Sequence, residues 1–61
     1  MFPASIRFDA KYRGKNGDVR HVVFVGERVV DYQPVPVEIA VLSVRCSLLE
    51  FAQWAKEEVN E

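Results

Sequence analysis

With 61 residues, this chain has room for one small domain that buries only about 60% of the surface exposed by its unfolded form. Its single cysteine, Cys46, excludes an internal disulfide, and with the single histidine, His21, it leaves no recognisable zinc-ligand spacing, so no metal or cofactor is expected. The net charge is −1, and no run of about 20 apolar residues points to a membrane. The residues predict one domain over 1–61, stabilised by self-association as a homodimer, and a cytoplasmic location.

The near-neutral net charge hides an asymmetry along the chain. Residues 1–28 carry six basic against three acidic side chains, and residues 29–61 carry two basic against six acidic. Such a distribution can steer a charged partner or align two copies head to tail. The basic half predicts an acidic protein surface as its complement.

The first predicted element is a strand over 5–13. Apolar and polar residues alternate there without interruption, which is the pattern of a half-buried strand. One face carries Ile6, Phe8, Ala10 and Tyr12, and the other carries Arg7, Asp9, Lys11 and Arg13.

A hairpin turn is predicted in the stretch GKNG, residues 14–17. A two-residue Asn16-Gly17 loop would place Arg13 opposite Arg20, whereas a four-residue loop would place Arg13 opposite Asp18. The longer loop is favoured because it pairs opposite charges. Both registers have the same parity, so both assign the next strand to the same faces.

Two further strands are predicted over 19–25 and 28–33, joined by a two-residue Gly26-Glu27 turn. The strand over 19–25 is apolar on both sides, which indicates a central position in the sheet. The face of Phe8 gains Val19, His21, Val23, Val25, Val30 and Tyr32, and the opposite face gains Arg20, Val22, Phe24, Val29 and Asp31.

The second half of the chain is predicted to add a strand and a helix. Pro34 and Pro36 indicate an extended connector, because proline cannot donate a backbone hydrogen bond. The β-branched segment 37–45 favours a strand, although a helix starting at Pro36 is also allowed. The S-x-x-E spacing at 47–50 is that of a capping box and predicts a helix over 48–60. Its apolar stripe carries Leu48, Phe51, Ala52, Ala55 and Val59.

Together these elements predict an α+β fold. An antiparallel sheet of three or four strands, arranged as a β-meander, is followed by one C-terminal amphipathic helix packed on one face. The helix covers the face of Phe8 and leaves the opposite face in solvent, where apolar side chains among basic ones are typical of a contact surface. The candidate partner-binding residues are Val22, Phe24, Val29, Arg7, Lys11, Arg13 and Arg20.

This surface favours a non-enzymatic protein–protein interaction module with Phe24 as the anchor. Chains of this size and class are common among accessory proteins and phage-encoded inhibitors or adaptors. A nucleic-acid-binding protein is the alternative, because the same basic residues could follow a phosphate backbone while Phe24 stacks on a base. The acidic pI of about 5.8 and the single aromatic on that face favour protein binding.

A catalytic interpretation depends on Cys46 and His21. Cys46 precedes a helix start, where the thiol pKa falls, and a nearby His21 would complete a thiolate–imidazole pair. The simpler interpretation packs Cys46 against Phe51 and gives His21 a structural role on the apolar face, with Tyr32 as its hydrogen-bond partner. No catalytic residues are therefore predicted.

Overall fold

The computed structural model describes residues 1–35 and 43–60. The predicted α+β class is confirmed, with five strands in place of three or four. The fifth strand follows the helix. The elements are a 3-10 turn (Pro3–Ser5), β1 (Lys11–Gly14), β2 (Val19–Val25), β3 (Val29–Val35), β4 (Val44–Ser47), α1 (Leu48–Trp54) and β5 (Ala55–Glu58).

The strands form one antiparallel sheet in the order β4-β3-β2-β1-β5. The first four make the predicted meander. Helix α1 then carries the chain from β4 at one edge, across one face of the sheet, to β5 at the other edge. We call the covered side the helix face and the opposite side the outer face.

The core surrounds Phe51 of α1. Its ring meets Tyr12 edge-on at 5.7 Å between centroids, and it packs obliquely on Tyr32 at 5.6 Å and on Trp54 at 5.3 Å. The predicted stripe is confirmed at Phe51 and Ala52, which belong to the core cluster, and at Leu48, which packs against it; Ala55 is also in the cluster but lies just after the helix. Its buried members are Ile6, Tyr12, Val22, Val30, Phe51, Ala52 and Ala55.

The β1–β2 turn has neither predicted loop length. The Gly14 N–H donates to the Asp18 carbonyl at 2.9 Å, and the Gly17 N–H donates to the Gly14 carbonyl at 3.0 Å. Gly17 has a φ of 88°, so it supplies the left-handed residue that closes a three-residue hairpin loop. The resulting register, with Tyr12 opposite Arg20, has the opposite parity to both predicted registers. Arg20 and Val22 therefore belong to the helix face and His21 to the outer face, and their predicted faces are wrong.

A bulge in β2 reverses this shift. Val22 pairs with Tyr32 and Phe24 pairs with Asp31, so Val23 is an extra residue between the two pairs. The predicted faces are restored beyond it. Phe24 lies on the outer face as predicted, and Val25 lies on the helix face opposite Val30. Val23, predicted to face the core, is not part of the core cluster.

The predicted strand over 5–13 holds only from Lys11. Before it the chain wraps around Tyr12, whose hydroxyl donates to the Ser5 carbonyl at 3.0 Å and accepts from the Arg7 N–H at 2.9 Å. Asp9 adopts a left-handed conformation, with a φ of 65°, that interrupts the alternation. Phe8 is consequently 69% exposed, and its predicted place in the core is wrong.

The helix begins where predicted and ends earlier. The Ser47 hydroxyl accepts from the Glu50 N–H at 3.0 Å, which confirms the cap. The predicted helix over 48–60 is wrong beyond Trp54, because Ala55 is extended and opens β5. Strand β5 covers the otherwise open edge of β1.

The predicted connector and fourth strand lie partly outside the described residues. Pro34, predicted to lie in a connector, instead lies inside β3, which runs to Val35. The described part of β4 pairs with β3 only over 29–32, so Pro34 lies beyond that ladder, where proline is tolerated. The predicted strand over 37–45 and the alternative helix from Pro36 otherwise fall on 36–42, outside the described residues.

Candidate interaction surface

Two apolar side chains of the outer face, Phe24 and Val29, approach the same point beside the β2–β3 turn. A Cβ placed on Gly26 would lie 3.0 Å from Val29 Cγ2 and 3.3 Å from a ring carbon of Phe24. Both side chains therefore converge beside a position that has no side chain of its own. Phe24 is still 47% exposed. The sequence prediction of these two residues as outer-face neighbours is confirmed.

An ion pair lies beside these two side chains. The Arg45 guanidinium donates to both carboxylate oxygens of Asp31, at 2.8 and 3.2 Å. The central carbon of this guanidinium lies 6.0 Å from the Phe24 ring centroid. The hydrogen bond from Arg45 lowers the pKa of Asp31, and the same contact raises the pKa of Arg45. We call Phe24, Val29, Asp31 and Arg45 the Phe24 patch. Sequence analysis missed Arg45, because only the pairing of β4 with β3 brings it beside Asp31.

The basic residues of the predicted site are largely paired within the chain. Arg7 contacts Glu58 at 2.9 Å and Arg13 contacts Glu57 at 3.4 Å. The hydrogen bond to Glu58 raises the pKa of Arg7. The unpredicted strand β5 brings both acids to β1, so two of the expected partner-facing charges are already matched. Lys11 is exposed and has no ion pair among the described residues.

Two residues of the predicted site, Val22 and Arg20, do not lie on the outer face. Val22 is fully buried in the core. The Arg20 guanidinium carbon lies on the helix face, 4.4 Å from the Tyr32 ring centroid and 3.9 Å from that of Trp54. Both assignments were wrong because the three-residue turn reversed the faces of the first half of β2.

The cysteine and histidine do not form a pair. His21 Nε2 lies 2.8 Å from Asp9 Oδ1, and its predicted partner Tyr32 faces the helix. Cys46 pairs with Val30 on the helix face and, partly buried, packs against the core cluster that contains Phe51, which is consistent with the simpler interpretation. Burial raises the pKa of the Cys46 thiol, which opposes thiolate formation at neutral pH. The two side chains thus point to opposite sides of the sheet.

Other kinds of site find little support in the described part of the chain. Over residues 1–35 and 43–60, no group of three or more His, Cys, Asp or Glu side chains could hold a metal ion. The helix described here is too short to cross a membrane. No protein-family model, curated protein or solved structure matches the chain.

Proposed function

We propose that this chain is a small protein-binding module of the accessory, adaptor or inhibitor type, which acts without catalysis and contacts another polypeptide through the Phe24 patch. The observation that carries this proposal is the convergence of Phe24 and Val29 on the outer face, with Phe24 left 47% exposed. An exposed aromatic set among charged groups is typical of an interface anchor. The reduced thiol of Cys46 suits action in the cytoplasm.

The charges around the patch favour a particular kind of partner. Asp31 and Arg45 hold each other in place, so they offer a fixed pair of opposite charges beside the aromatic ring. Lys11 lies on the same face without an ion pair among the described residues. An acidic protein surface with an apolar pocket for Phe24 fits this arrangement, because charge complementarity orients partners and speeds their encounter.

The nucleic-acid alternative has weaker support. A phosphate backbone needs free cations, whereas Arg7 and Arg13 are paired with acids and the Arg20 guanidinium lies over the Tyr32 and Trp54 rings. Phe24 is the one described aromatic on the strands of the outer face, and several stacking aromatics are usual in single-strand binders. Weak retention on oligonucleotides at low salt is therefore the expected result.

Site-specific photo-crosslinking in cells tests the proposal without knowledge of the partner. A photoreactive phenylalanine analogue replaces Phe24 in one variant and Phe8 in another, and mass spectrometry identifies the adducts. Phe8 is the matched control because it is an aromatic with a larger exposed fraction, 69%, and does not belong to the patch. We expect a defined protein adduct from position 24 and none from position 8.

The adduct pattern decides between the alternatives. Equal labelling at both positions, or none at position 24, would contradict the proposal, and a nucleic-acid adduct would favour the alternative. With the captured partner in hand, Phe24→Asp should weaken binding by about 2 kcal/mol or more, while Phe8→Asp leaves it nearly unchanged.

A further inference from the structure

A second apolar feature borders the β2–β3 turn, whose flanking residues Phe24 and Val29 belong to the Phe24 patch. It is a groove of about 340 Å³ between the 3-10 turn, the β2–β3 turn and the first turn of α1. We call it the Leu49 groove. Its lining residues are Pro3, Glu27, Arg28, Ser47, Leu48 and Leu49.

Leu49 is both part of the groove wall and a protruding side chain. Helix α1 directs Leu48, Phe51 and Ala52 toward the core, so Leu49 falls off that stripe and is 57% exposed. An apolar cavity of roughly 150 Å³ already accommodates a benzene-sized group. The larger groove therefore has room for a leucine side chain from another molecule, and the same surface offers such a side chain in return.

The charged rim of the groove is also complementary to itself. Glu27 and Arg28 are adjacent, exposed and of opposite charge, and neither forms an ion pair with another described residue. In a two-fold interface the same patch meets itself, so residue i of one copy contacts residue j of the other and the reverse. Glu27 of each copy would then face Arg28 of its partner. A ligand that carries only one sign of charge would instead be repelled by either Glu27 or Arg28.

We propose that the Leu49 groove binds a second copy of this chain in a two-fold dimer. Leu49 of each copy inserts into the groove of the other, and two Glu27–Arg28 pairs close the rim. A second subunit also suits a chain of this length, which buries too little surface to be strongly stable alone. This dimer leaves the Phe24 patch available for a different protein, and it does not depend on the function proposed above.

Sedimentation velocity over a range of concentrations tests the dimer. The unsubstituted chain should show a concentration-dependent dimer mass, and Leu49→Asp should raise the dissociation constant at least about tenfold. Phe24→Asp is the matched control, because it places the same charge on an exposed apolar residue outside the groove. It should leave the dimer intact. Circular dichroism and thermal unfolding confirm that each variant is folded.

Charge exchange tests the two-fold arrangement itself. Glu27→Arg places two arginines against each other at both ends of the rim and should weaken the dimer about tenfold. Adding Arg28→Glu to that variant restores opposite charges across the interface, so it should recover most of the lost affinity.

Each outcome decides the inference separately from the proposed function. A monomer at every concentration, assembly beyond a dimer, or no recovery in the doubly exchanged variant would overturn the inference and leave the crosslinking result at position 24 unaffected. A dimer that is lost in Phe24→Asp but kept in Leu49→Asp would overturn the Leu49 groove as the dimer interface. It would indicate that the two copies meet through the Phe24 patch.

Discussion

At the scale of single residues, the position of Trp54 depends on the absence of a side chain at Gly14. A Cβ on Gly14 would lie 2.1 Å from the indole ring, far inside van der Waals contact. The Trp54 Nε1 is buried without a hydrogen-bond partner among the described residues, so packing alone places this ring. The Arg20 guanidinium lies over this ring, and Phe51 packs against the ring at an interplanar angle of 56°.

We expect Gly14→Ala to lower the free energy of unfolding by roughly 1–3 kcal/mol, because the added methyl group overpacks the contact with Trp54. Chemical denaturation measures this loss. A double-mutant cycle with Trp54→Leu provides the control, since the smaller side chain should relieve most of the effect. Additive losses in the cycle would show that the clash is not with Trp54.

The Asp31–Arg45 pair gives a pH-dependent prediction. The hydrogen bond from Arg45 lowers the pKa of Asp31 below its ordinary value of 3.8. Because the folded-state pKa lies below the unfolded one, the pair stabilises the fold above pH about 4, and this contribution disappears as the pH falls through the folded-state pKa. Asp31→Asn should therefore reduce stability at neutral pH, with a shrinking difference from the unsubstituted protein in acid.

Urea unfolding of both proteins between neutral pH and about pH 2 measures this difference. Glu57→Gln is the control, because its contact with Arg13 is longer, at 3.4 Å, and more exposed, so its effect should be smaller. A difference for Asp31→Asn that stays constant down to the lowest pH would contradict an ionised, hydrogen-bonded Asp31.

At the scale of elements, β5 changes the meaning of the charge asymmetry along the chain. The excess of basic residues in the first half suggested a surface awaiting an acidic partner. Strand β5 instead lies beside β1 and supplies Glu57 and Glu58 to Arg13 and Arg7. Much of the asymmetry is thus matched within the molecule, and the apolar Phe24 contact becomes the stronger indication of a binding surface.

The β1–β2 turn provides the prediction at this scale. Gly17 has a φ of 88°, and no heavy atom would lie within 4 Å of a Cβ placed there, so only backbone conformation opposes substitution. Gly17→Val should cost about 1–2 kcal/mol, because a β-branched residue is strained in the left-handed region. Gly17→Asn should cost less, since asparagine tolerates that region. Equal losses for both variants in chemical denaturation would contradict a left-handed Gly17.

At the scale of the whole molecule, over residues 1–35 and 43–60, one helix of seven residues covers one face of a five-stranded sheet. That single layer buries the core around Phe51. The Phe24 patch on the outer face and the Leu49 groove at the start of α1 stay uncovered. Both features border the β2–β3 turn. Two separate apolar features on a small domain suit two different contacts, one with a second copy and one with another protein.

Local patterns in the sequence were enough to predict the α+β class, the strand over 19–25, the Ser47 cap and the inward stripe of α1. It also placed Phe24 and Val29 correctly on the outer face. These features depend on alternation, helical spacing and a capping motif, which are all local properties of the chain.

Tertiary contacts set three features that these patterns did not reveal: the faces of Arg20 and Val22, the extended course of 55–58 and the position of Arg45 beside Phe24. Strand register changes with one residue in a turn or a bulge, and the register adopted is the one that places Tyr12 and Val22 together in the core around Phe51. Residues 55–58 could have continued the helix, but the open edge of β1 offers them a ladder of backbone hydrogen bonds. Such choices depend on contacts between distant parts of the chain, which no local pattern specifies.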